Sequence, residues 1–376
     1  MRTQHFLYTV PNFPIYSAAF ISNDVLVLGG GGGSSKTGVK NMIRLYKVQS
    51  SGLDMKLLDE YSLCKEDTPM SMSAHRQRSE IVCGINGLLD DTSSNSKEIE
   101  NCRAFAVSDA KIRPLNTRTT FKAKTPEDYQ NVTVFSPEHD FLAIGSTTNE
   151  LIMVATTRLD VYSLPITGSS KRLVKTVTAA MASIPGLTFR AARFDPKQPQ
   201  YIYTIMNAAP SRSGRKVSSR YSYLLKWNME DWRVVKTRQV VDKAVTCFDM
   251  SGTKARTPFL TILKAHEFPP TVIRFSPDGS LLISASFDNT VRVIAIPEKS
   301  DTGEHRLHQF KFVLKISSLS YVKELVCLDL DVGNSVIRSI STDNSGFGLN
   351  QRDSLIFAVS VTLFVCLLCL RIKIDA

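Results

Sequence analysis

The chain has 376 residues, of which 43% are hydrophobic and 22% are charged, so it is a globular protein and not a mostly disordered one. Its formal net charge of +11 favours an acidic partner, nucleic acid or an anionic membrane surface. The seven cysteines are scattered without zinc-ligand spacing, which indicates mostly buried free thiols in a reducing compartment.

The N-terminal end of the chain carries a glycine-rich stretch, LVLGGGGGSSKTGVKNMIRLY at 26–46, and residues 1–20 show no secretory leader. Counted from Gly30, the stretch approaches a phosphate-binding P-loop, but Ser35 stands where that motif needs glycine. A P-loop must also run into a helix, whereas residues 41–48 follow the alternation of a strand. The sequence therefore disfavours a nucleotide site here.

A β pattern repeats along the chain. Segments 132–155 and 272–296 both place an apolar strand before Phe-Ser-Pro, followed by a turn and two further strands, and weaker copies occupy 191–207 and 245–255. His266 precedes the second copy at the position of the inter-blade histidine of WD repeats. We predict an all-β, WD-type β-propeller of six to seven blades, because a β-sandwich would not repeat this motif in successive units.

The repeat assigns structural roles and reveals one irregular unit. Phe275 is expected to fill the core between blades, and Pro277 and Gly279 are expected to form a turn. The unit from Val245 to Val272 spans only 27 residues, where a WD unit needs about 40–45. That blade is therefore incomplete, or it takes strands from its neighbours.

The repeat also gives an expected length for the hairpin that contains the glycine-rich stretch. In two ordinary blades the matching hairpin has three residues, at 147–149 and 287–289, but in the first blade it has ten, at 31–40. A blade hairpin needs about two to five residues, so the extra length predicts a functional loop. Its glycines permit positive φ values, which can turn several carbonyl oxygens toward one cation.

Two further classes of function must be considered, nucleic-acid binding and covalent enzyme chemistry. Segment 211–220, SRSGRKVSSR, holds four cations without an acid or an aromatic residue, and we interpret it as a solvated loop. A nucleic-acid-binding regulator is the alternative for the basic charge, and it predicts salt-sensitive DNA binding by residues 1–350. The six histidines show no recognisable spacing with Cys, Ser or carboxylates, so we expect no enzyme with covalent chemistry.

The C-terminal segment is apolar. Residues 355–370 are sixteen uncharged residues, which as a helix span about 24 Å and suit the thin endoplasmic-reticulum membrane. Arg371 and Lys373 would favour a cytosolic tail, and a buried helix is the alternative to an anchor. We predict a cytosolic propeller at 1–340, a linker at 341–354, a transmembrane anchor at 355–371 and a lumenal tail at 372–376.

The loop sequence GGGGGSSKTGVKN (29–41), the WD-like propeller and the C-terminal anchor together resemble one family. It is the prolactin regulatory element-binding protein family, the endoplasmic-reticulum guanine-nucleotide exchange factors that start the COPII coat. The resemblance covers the layout of the whole chain and is specific mainly in the loop. It implies exchange on a Sar-type small GTPase, with COPII machinery as partner. It also implies a single-pass endoplasmic-reticulum protein with a cytosolic N-terminal domain, and leaves cycling to the Golgi open.

The family's loop binds a potassium ion and inserts toward the nucleotide site of the GTPase. Carried over by position, the resemblance implies a potassium site at Gly31, Gly32, Gly33, Ser34 and Asn41. It implies working positions in exchange at Thr37, Gly38, Val39, Asn41 and Pro69, the last within the turn EDTP at 66–69. Val39 stands where the family usually has Ile, and Lys40 replaces the Pro of some members. An exchange-inactive, membrane-anchored scaffold of the same pathway is therefore the alternative.

Overall fold

The fold is taken from a computed structural model, which describes the chain in the following ranges: residues 5–33, 38–49, 54–63, 67–87, 100–123, 125, 128–147, 150–155, 173–178, 186–208, 221–241, 244–251, 262–263, 266–296, 311–317 and 324–329. Within these ranges the regular structure is β-strand, apart from one 3-10 turn at Arg76–Arg78. The strands, in chain order, are β1 (His5–Thr9), β2 (Ile15–Phe20), β3 (Val25–Gly30), β4 (Met42–Gln49), β5 (Asp54–Ser62), β6 (Ser71–His75), β7 (Glu80–Gly84), β8 (Cys102–Ser108), β9 (Lys111–Arg118), β10 (Gln130–Phe135), β11 (Phe141–Ser146), β12 (Glu150–Ala155), β13 (Leu173–Thr178), β14 (Leu187–Phe194), β15 (Tyr201–Ala208), β16 (Ser222–Asn228), β17 (Val234–Val241), β18 (Ala244–Ser251), β19 (Ile262–Leu263), β20 (Pro270–Phe275), β21 (Leu281–Ser286), β22 (Thr290–Ala295), β23 (Lys311–Ser317) and β24 (Glu324–Asp329).

In the described ranges these strands form six four-stranded antiparallel sheets. Their strand orders are β2-β3-β4-β5, β6-β7-β8-β9, β10-β11-β12-β13, β14-β15-β16-β17, β18-β23-β24-β19 and β20-β21-β22-β1. The innermost strands contact one another in a closed ring, from β2 through β6, β10, β14, β18 and β20 back to β2. The expected all-β, WD-type propeller is confirmed.

Two sheets are completed by strands that are distant in sequence. The N-terminal strand β1 pairs with β22, with Leu7 opposite Arg292, and is therefore the outer strand of the sixth sheet. In the fifth sheet, β18 pairs with β23, with Phe248 opposite Leu314, and β24 pairs with the two-residue β19. The short unit found in the sequence therefore takes its missing strands from the chain that follows the sixth sheet.

Apolar side chains fill the spaces between neighbouring sheets. Phe275 is 8% exposed and packs with Cys247 of the fifth sheet and Leu282 of the sixth, which confirms its expected role between blades. Trp227 is 1% exposed, and its Nε1 donates to Thr204 Oγ1 at 2.9 Å, so its one polar atom is satisfied. Each such large buried side chain contributes about 1.5–3 kcal/mol, which makes the sheets a rigid support for the loops between them.

The predicted inter-blade histidine organises the last hairpin of the sixth sheet. His266 Nε2 lies 2.8 Å from Ser284 Oγ, and its Nδ1 lies 2.8 Å from Thr290 Oγ1. The Asp288 carboxylate accepts a hydrogen bond from Glu267 N at 2.7 Å and another from Thr290 Oγ1. Burial alone would raise the pKa of Asp288, but hydrogen bonds from His266 and Thr290 outweigh it and lower the pKa to about 2.

Some sequence predictions fall outside the described ranges. In the part of the chain that the structure describes, no helix is long and apolar enough to cross a membrane, and the predicted anchor at 355–371 lies outside that part. The linker at 341–354, the tail at 372–376 and the basic segment at 211–220 lie outside it as well. Of the cysteines, Cys83, Cys102 and Cys247 are free and buried, as expected.

Candidate functional site

The glycine-rich loop is anchored at both ends in the first sheet. Gly30, the last residue of β3, pairs with Ile15 of β2 and with Met42 of β4. The connection covers 31–41, one residue more than predicted, and a strand follows it, which is incompatible with a P-loop. The three-residue hairpins at 147–149 and 287–289 are confirmed. Within the loop, residues 34–37, including Ser34 and Thr37, lie outside the described ranges.

The base of the loop is tightly packed against the neighbouring blade. A Cβ added to Gly29 would lie 2.5 Å from Ser17 Oγ and 2.7 Å from Pro69 Cβ, so no side chain fits there. Ser17 Oγ donates to the Pro69 carbonyl at 2.7 Å, and the Pro69 side chain is buried. Pro69 thus lies buried beneath Gly29, where it packs against the base of the loop.

The described part of the loop follows a backbone path that favours glycine. Gly31, Gly33 and Gly38 have φ values of 142°, 71° and 78°. A Cβ on Gly31 would lie 2.4 Å from Asn41 Oδ1 and 2.7 Å from the Lys40 carbonyl oxygen. Gly31 is therefore packed closely against oxygen atoms of Asn41 and Lys40, with no room for a side chain.

Asn41 joins the two sides of the loop. Its Oδ1 accepts a hydrogen bond from Gly33 N at 2.9 Å, and its Nδ2 donates to the Gly33 carbonyl at 3.4 Å. Its own carbonyl oxygen accepts from Leu63 N at 2.8 Å, which ties Asn41 to the residue that directly follows β5. Since Asn41 is only 9% exposed, these bonds are made away from bulk water and define the shape of the loop.

A turn from the neighbouring blade lies beside the loop. Asp67 N donates to the Asn86 carbonyl at 2.9 Å, and Asp67 Oδ1 accepts from Thr68 N at 2.7 Å, so the turn is well ordered. A Cβ on Gly33 would lie 3.5 Å from Asp67 Oδ1 and 3.6 Å from Thr68 Oγ1. Sequence reasoning noted this EDTP turn for Pro69 and missed Asp67, whose carboxylate brings a negative charge to the loop.

Several oxygen atoms lie together at the base of the loop. Potassium in proteins is coordinated by oxygen atoms, often main-chain carbonyls. Oxygens of Lys40 and Asn41 lie close to Gly31, and the Asp67 carboxylate lies near Gly33. Among the described residues, no group of three or more His, Cys, Asp or Glu side chains could hold a metal ion, so a cation here would depend on main-chain and amide oxygens. These oxygen donors are of the chemical kind that suits the potassium site implied by the family resemblance.

Among the described residues of the loop, the three that directly precede Asn41 are the ones accessible to a partner at its C-terminal end. Gly38 and Lys40 are exposed, and Val39 is partly exposed between them. Val39 thus offers an apolar side chain that is accessible to a partner. Its backbone is held in place by Asn41, two residues further along the chain. This geometry allows Val39 to act as a short apolar wedge.

Aromatic residues extend the same end of the propeller into a wider surface. Tyr16 packs edge-to-face on Phe287, with ring centroids 4.9 Å apart, and burial together with the nearby Asp67 and Tyr129 raises the pKa of Tyr16. Phe287 is 43% exposed and Phe268 is 55% exposed. We call the surface formed by the 31–41 loop, Asp67, Tyr16, Phe268 and Phe287 the loop face. Exposed aromatic side chains of this kind are typical of protein interfaces, and no repeat pattern in the sequence identifies them.

This chain is similar to a family model, to a curated protein and to one chain of a solved structure. A family model described as "WD domain, G-beta repeat" matches residues 257–294. The chain is 24% identical over 352 residues to "Guanine nucleotide-exchange factor SEC12" of Candida glabrata, an alignment that covers 80% of this chain and 73% of that protein. In a solved structure titled "Crystal Structure of Mitotic Checkpoint Complex", one chain matches 78% of this chain and 94% of itself, with 11% identity and a TM-score of 0.45. The resemblance to WD-repeat exchange factors noted in the sequence is confirmed.

Proposed function

We propose that this protein is a guanine-nucleotide exchange factor for a Sar-type small GTPase at the endoplasmic-reticulum membrane, where it starts COPII vesicle budding. The observation that carries this proposal is the eleven-residue glycine-rich connection on a rigid sheet, fixed by Asn41, where comparable hairpins take three residues. The similarity to a protein named as an exchange factor supports it. The proposed membrane attachment rests on the apolar sequence at 355–371.

The proposed mechanism requires no acid, base or nucleophile of this chain. An exchange factor accelerates release when it binds the nucleotide-free GTPase more tightly than the nucleotide-bound form. The sheet fixes the position of Gly30 and Met42, and Asn41 fixes the fold of the loop between them. Val39 and Gly38 are then presented in one conformation, with little ordering entropy left to lose on binding. Thr37 belongs to the same proposed contact, and its position is outside the described ranges.

A bound potassium ion belongs to the same proposal. It would supply a positive charge that draws the loop carbonyls together before the GTPase arrives. The main-chain oxygens of Gly31, Gly32 and Gly33, the side chain of Asn41 and the Asp67 carboxylate would hold it, with Ser34 as a further proposed ligand. In this arrangement Asn41 also keeps its hydrogen bond with Gly33 N.

The cation predicts an ion dependence. We expect stimulated GDP release in potassium chloride to be several-fold faster than in N-methyl-D-glucamine chloride at equal ionic strength. Without potassium, the loop would lack the positive charge that draws its carbonyl groups together. The rate is measured with a fluorescent GDP analogue, and the GTPase alone in each salt corrects for effects on the GTPase itself. Equal stimulated rates in both salts would contradict a role for potassium. That result would not contradict the proposed contacts between this protein and the GTPase.

Binding to the GTPase in defined nucleotide states tests the proposed function. We expect the nucleotide-free GTPase to bind at least about tenfold more tightly than the GDP-bound form, since that difference is the source of exchange. Biolayer interferometry with the full chain in detergent measures both dissociation constants. Equal affinity for both forms would contradict exchange and would favour the scaffold without exchange activity.

The loop face gives a matched pair of variants for this assay. Phe287→Ser removes an exposed aromatic side chain from the proposed interface, and we expect about tenfold weaker binding. Leu115→Ser is the control, because Leu115 is 44% exposed, like Phe287 at 43%, but lies on β9, the outer strand of the second sheet. If both variants bind equally well, the GTPase does not use the loop face.

A further inference from the structure

The end of the propeller opposite the loop face contains a second candidate site. The inner strands begin at the loop face, where Ile15 lies beside Gly30, and run toward their Phe-Ser-Pro or related ends. There, a cavity of about 300 Å³ opens among Phe20, Pro137 and Pro277. A second cavity of about 200 Å³ lies on the loop-face side, lined by Tyr16 and Phe287. The central channel thus has a chamber at each end.

The chamber opposite the loop face has an excess of positive charge. Three arginines line it, Arg76, Arg193 and Arg274, and Asp249 is the one carboxylate among its described lining residues. Arg193 and Arg274 also line the other chamber, so they lie between the two. Among the described lining residues, three guanidinium groups therefore face one carboxylate, an excess of two positive charges.

The single carboxylate is already occupied. Asp249 Oδ1 accepts a hydrogen bond from Arg193 Nε, and its Oδ2 accepts from Phe275 N at 2.8 Å. Asp249 is 6% exposed, so this ion pair is buried between the fourth and fifth sheets. Among the described lining residues, the one acid is thus hydrogen-bonded to Arg193, and Arg76 and Arg274 have no carboxylate of their own in the chamber.

Arg274 is held by neutral groups. Its Nε donates to the Ala18 carbonyl at 2.9 Å and its Nη1 donates to the Ile273 carbonyl at 2.7 Å. Burial, and next the charge of Arg193, lower the pKa of Arg274 to about 9. A guanidinium buried among carbonyls and beside another guanidinium is costly, and a bound anion would remove much of that cost.

Arg76 provides an accessible cation at the rim. It follows β6 in the 3-10 turn Arg76–Arg78, and its main-chain N donates to His139 Nε2 at 3.4 Å. Partial burial lowers the pKa of Arg76, although Asp249 opposes this effect. Because its side chain lines the chamber and is also exposed to solvent, it can reach a bound ligand without rearrangement of the sheets.

We propose that this chamber binds a phosphate group, as carried by a soluble inositol phosphate or by a phosphoinositide headgroup. Planar guanidinium groups bind phosphate oxygens in pairs, and three guanidinium groups, those of Arg76, Arg193 and Arg274, line this one chamber. Its volume of about 300 Å³ is at the small end for ligand pockets, which suits a compact anion. The site is separate from the loop face, so it is a further function beyond nucleotide exchange.

Titration of the full chain in detergent with inositol hexakisphosphate, followed by isothermal calorimetry and thermal unfolding, tests this proposal. We expect binding with a rise in Tm, and about tenfold weaker binding by Arg76→Gln, which removes an exposed cation and leaves the buried ones in place. Arg113→Gln is the control, because its side chain is 63% exposed on β9. No binding, or equal binding by both variants, would overturn the proposal.

Two probes distinguish the source of the phosphate. Dioctanoyl phosphatidylinositol 4-phosphate carries the lipid headgroup in soluble form, and inositol 1,4-bisphosphate is that headgroup alone. Tighter binding of the lipid form, lost in Arg76→Gln, supports a membrane headgroup as ligand. Equal or tighter binding of the free inositol phosphate, also lost in Arg76→Gln, supports a soluble metabolite. If both ligands bind equally well to wild type and to Arg76→Gln, the anion binds elsewhere, and the proposed site is contradicted.

Discussion

Asn41→Ala is expected to reduce stimulated GDP release by about tenfold or more, while the propeller stays folded. The change removes the acceptor for Gly33 N and the donor to the Gly33 carbonyl, and these bonds set the shape of the loop. A buried donor without its acceptor costs about 1–3 kcal/mol, and each 1.4 kcal/mol lost from the productive complex is a factor of ten in rate. Stopped-flow fluorescence of labelled GDP measures the rate.

Two further variants make this test specific. Asn41→Asp keeps an oxygen for Gly33 N but loses the amide donor, so we expect an intermediate rate. Lys40→Ala changes an exposed neighbour and is expected to retain most of the wild-type rate. A wild-type rate for Asn41→Ala, with an unchanged Tm, would show that the function of the loop does not depend on the hydrogen bonds between Asn41 and Gly33.

Asp288→Ala is expected to cause the largest loss of stability, about 3 kcal/mol. The Asp288 side chain is 3% exposed and lies beside His266, which is 0% exposed. Its removal takes an acceptor from Glu267 N, Thr290 N and Thr290 Oγ1 and one close contact from His266, and breaking one side of a buried polar network is more costly than never having formed it. Chemical denaturation followed by tryptophan fluorescence measures the free energy of unfolding.

The effect of Asp288→Ala has a defined dependence on pH. Because the folded-state pKa of Asp288 is lowered to about 2, its contribution to stability is fully present above the ordinary carboxyl pKa and is lost as pH falls through the folded value. The difference between wild type and variant should therefore be the same at pH 7 and pH 5, and should shrink below about pH 4. Glu138→Ala, at an exposed turn, is the control and should change stability by less than about 0.5 kcal/mol. An equally small change for Asp288→Ala would contradict a structural role for the network.

The sequence predicted those parts of the fold that local patterns determine. The Phe-Ser-Pro repeats located the inner strands and short hairpins, because each is a turn signal between alternating strands. The length of the glycine-rich loop was found for the same reason, since the other blades supplied a reference. The partners of β18 could not be predicted, because β23 and β24 lie beyond the whole sixth sheet and no local pattern specifies long-range pairing.

The sequence predicted only those residues of the candidate site that lie together in one short stretch of the chain. Asn41 and the glycines lie together in sequence, but Asp67 and Tyr16 reach the loop through the arrangement of neighbouring blades. The side chain of Pro69, which the resemblance implies as a working position, lies beneath Gly29. The charged chamber was missed for a similar reason: Arg76, Arg193 and Arg274 come from three different blades, and their shared location depends on the closure of the ring.

The rate of GDP release from a purified Sar-type GTPase, with and without the full chain, tests the central claim most directly. The assay uses labelled GDP in potassium buffer, with excess unlabelled GTP, and the GTPase alone gives the intrinsic rate. We predict that catalytic amounts of the intact protein accelerate release at least about tenfold, and that Asn41→Ala loses this acceleration. A rate equal to that of the GTPase alone would contradict exchange activity and would identify the protein as a scaffold without it.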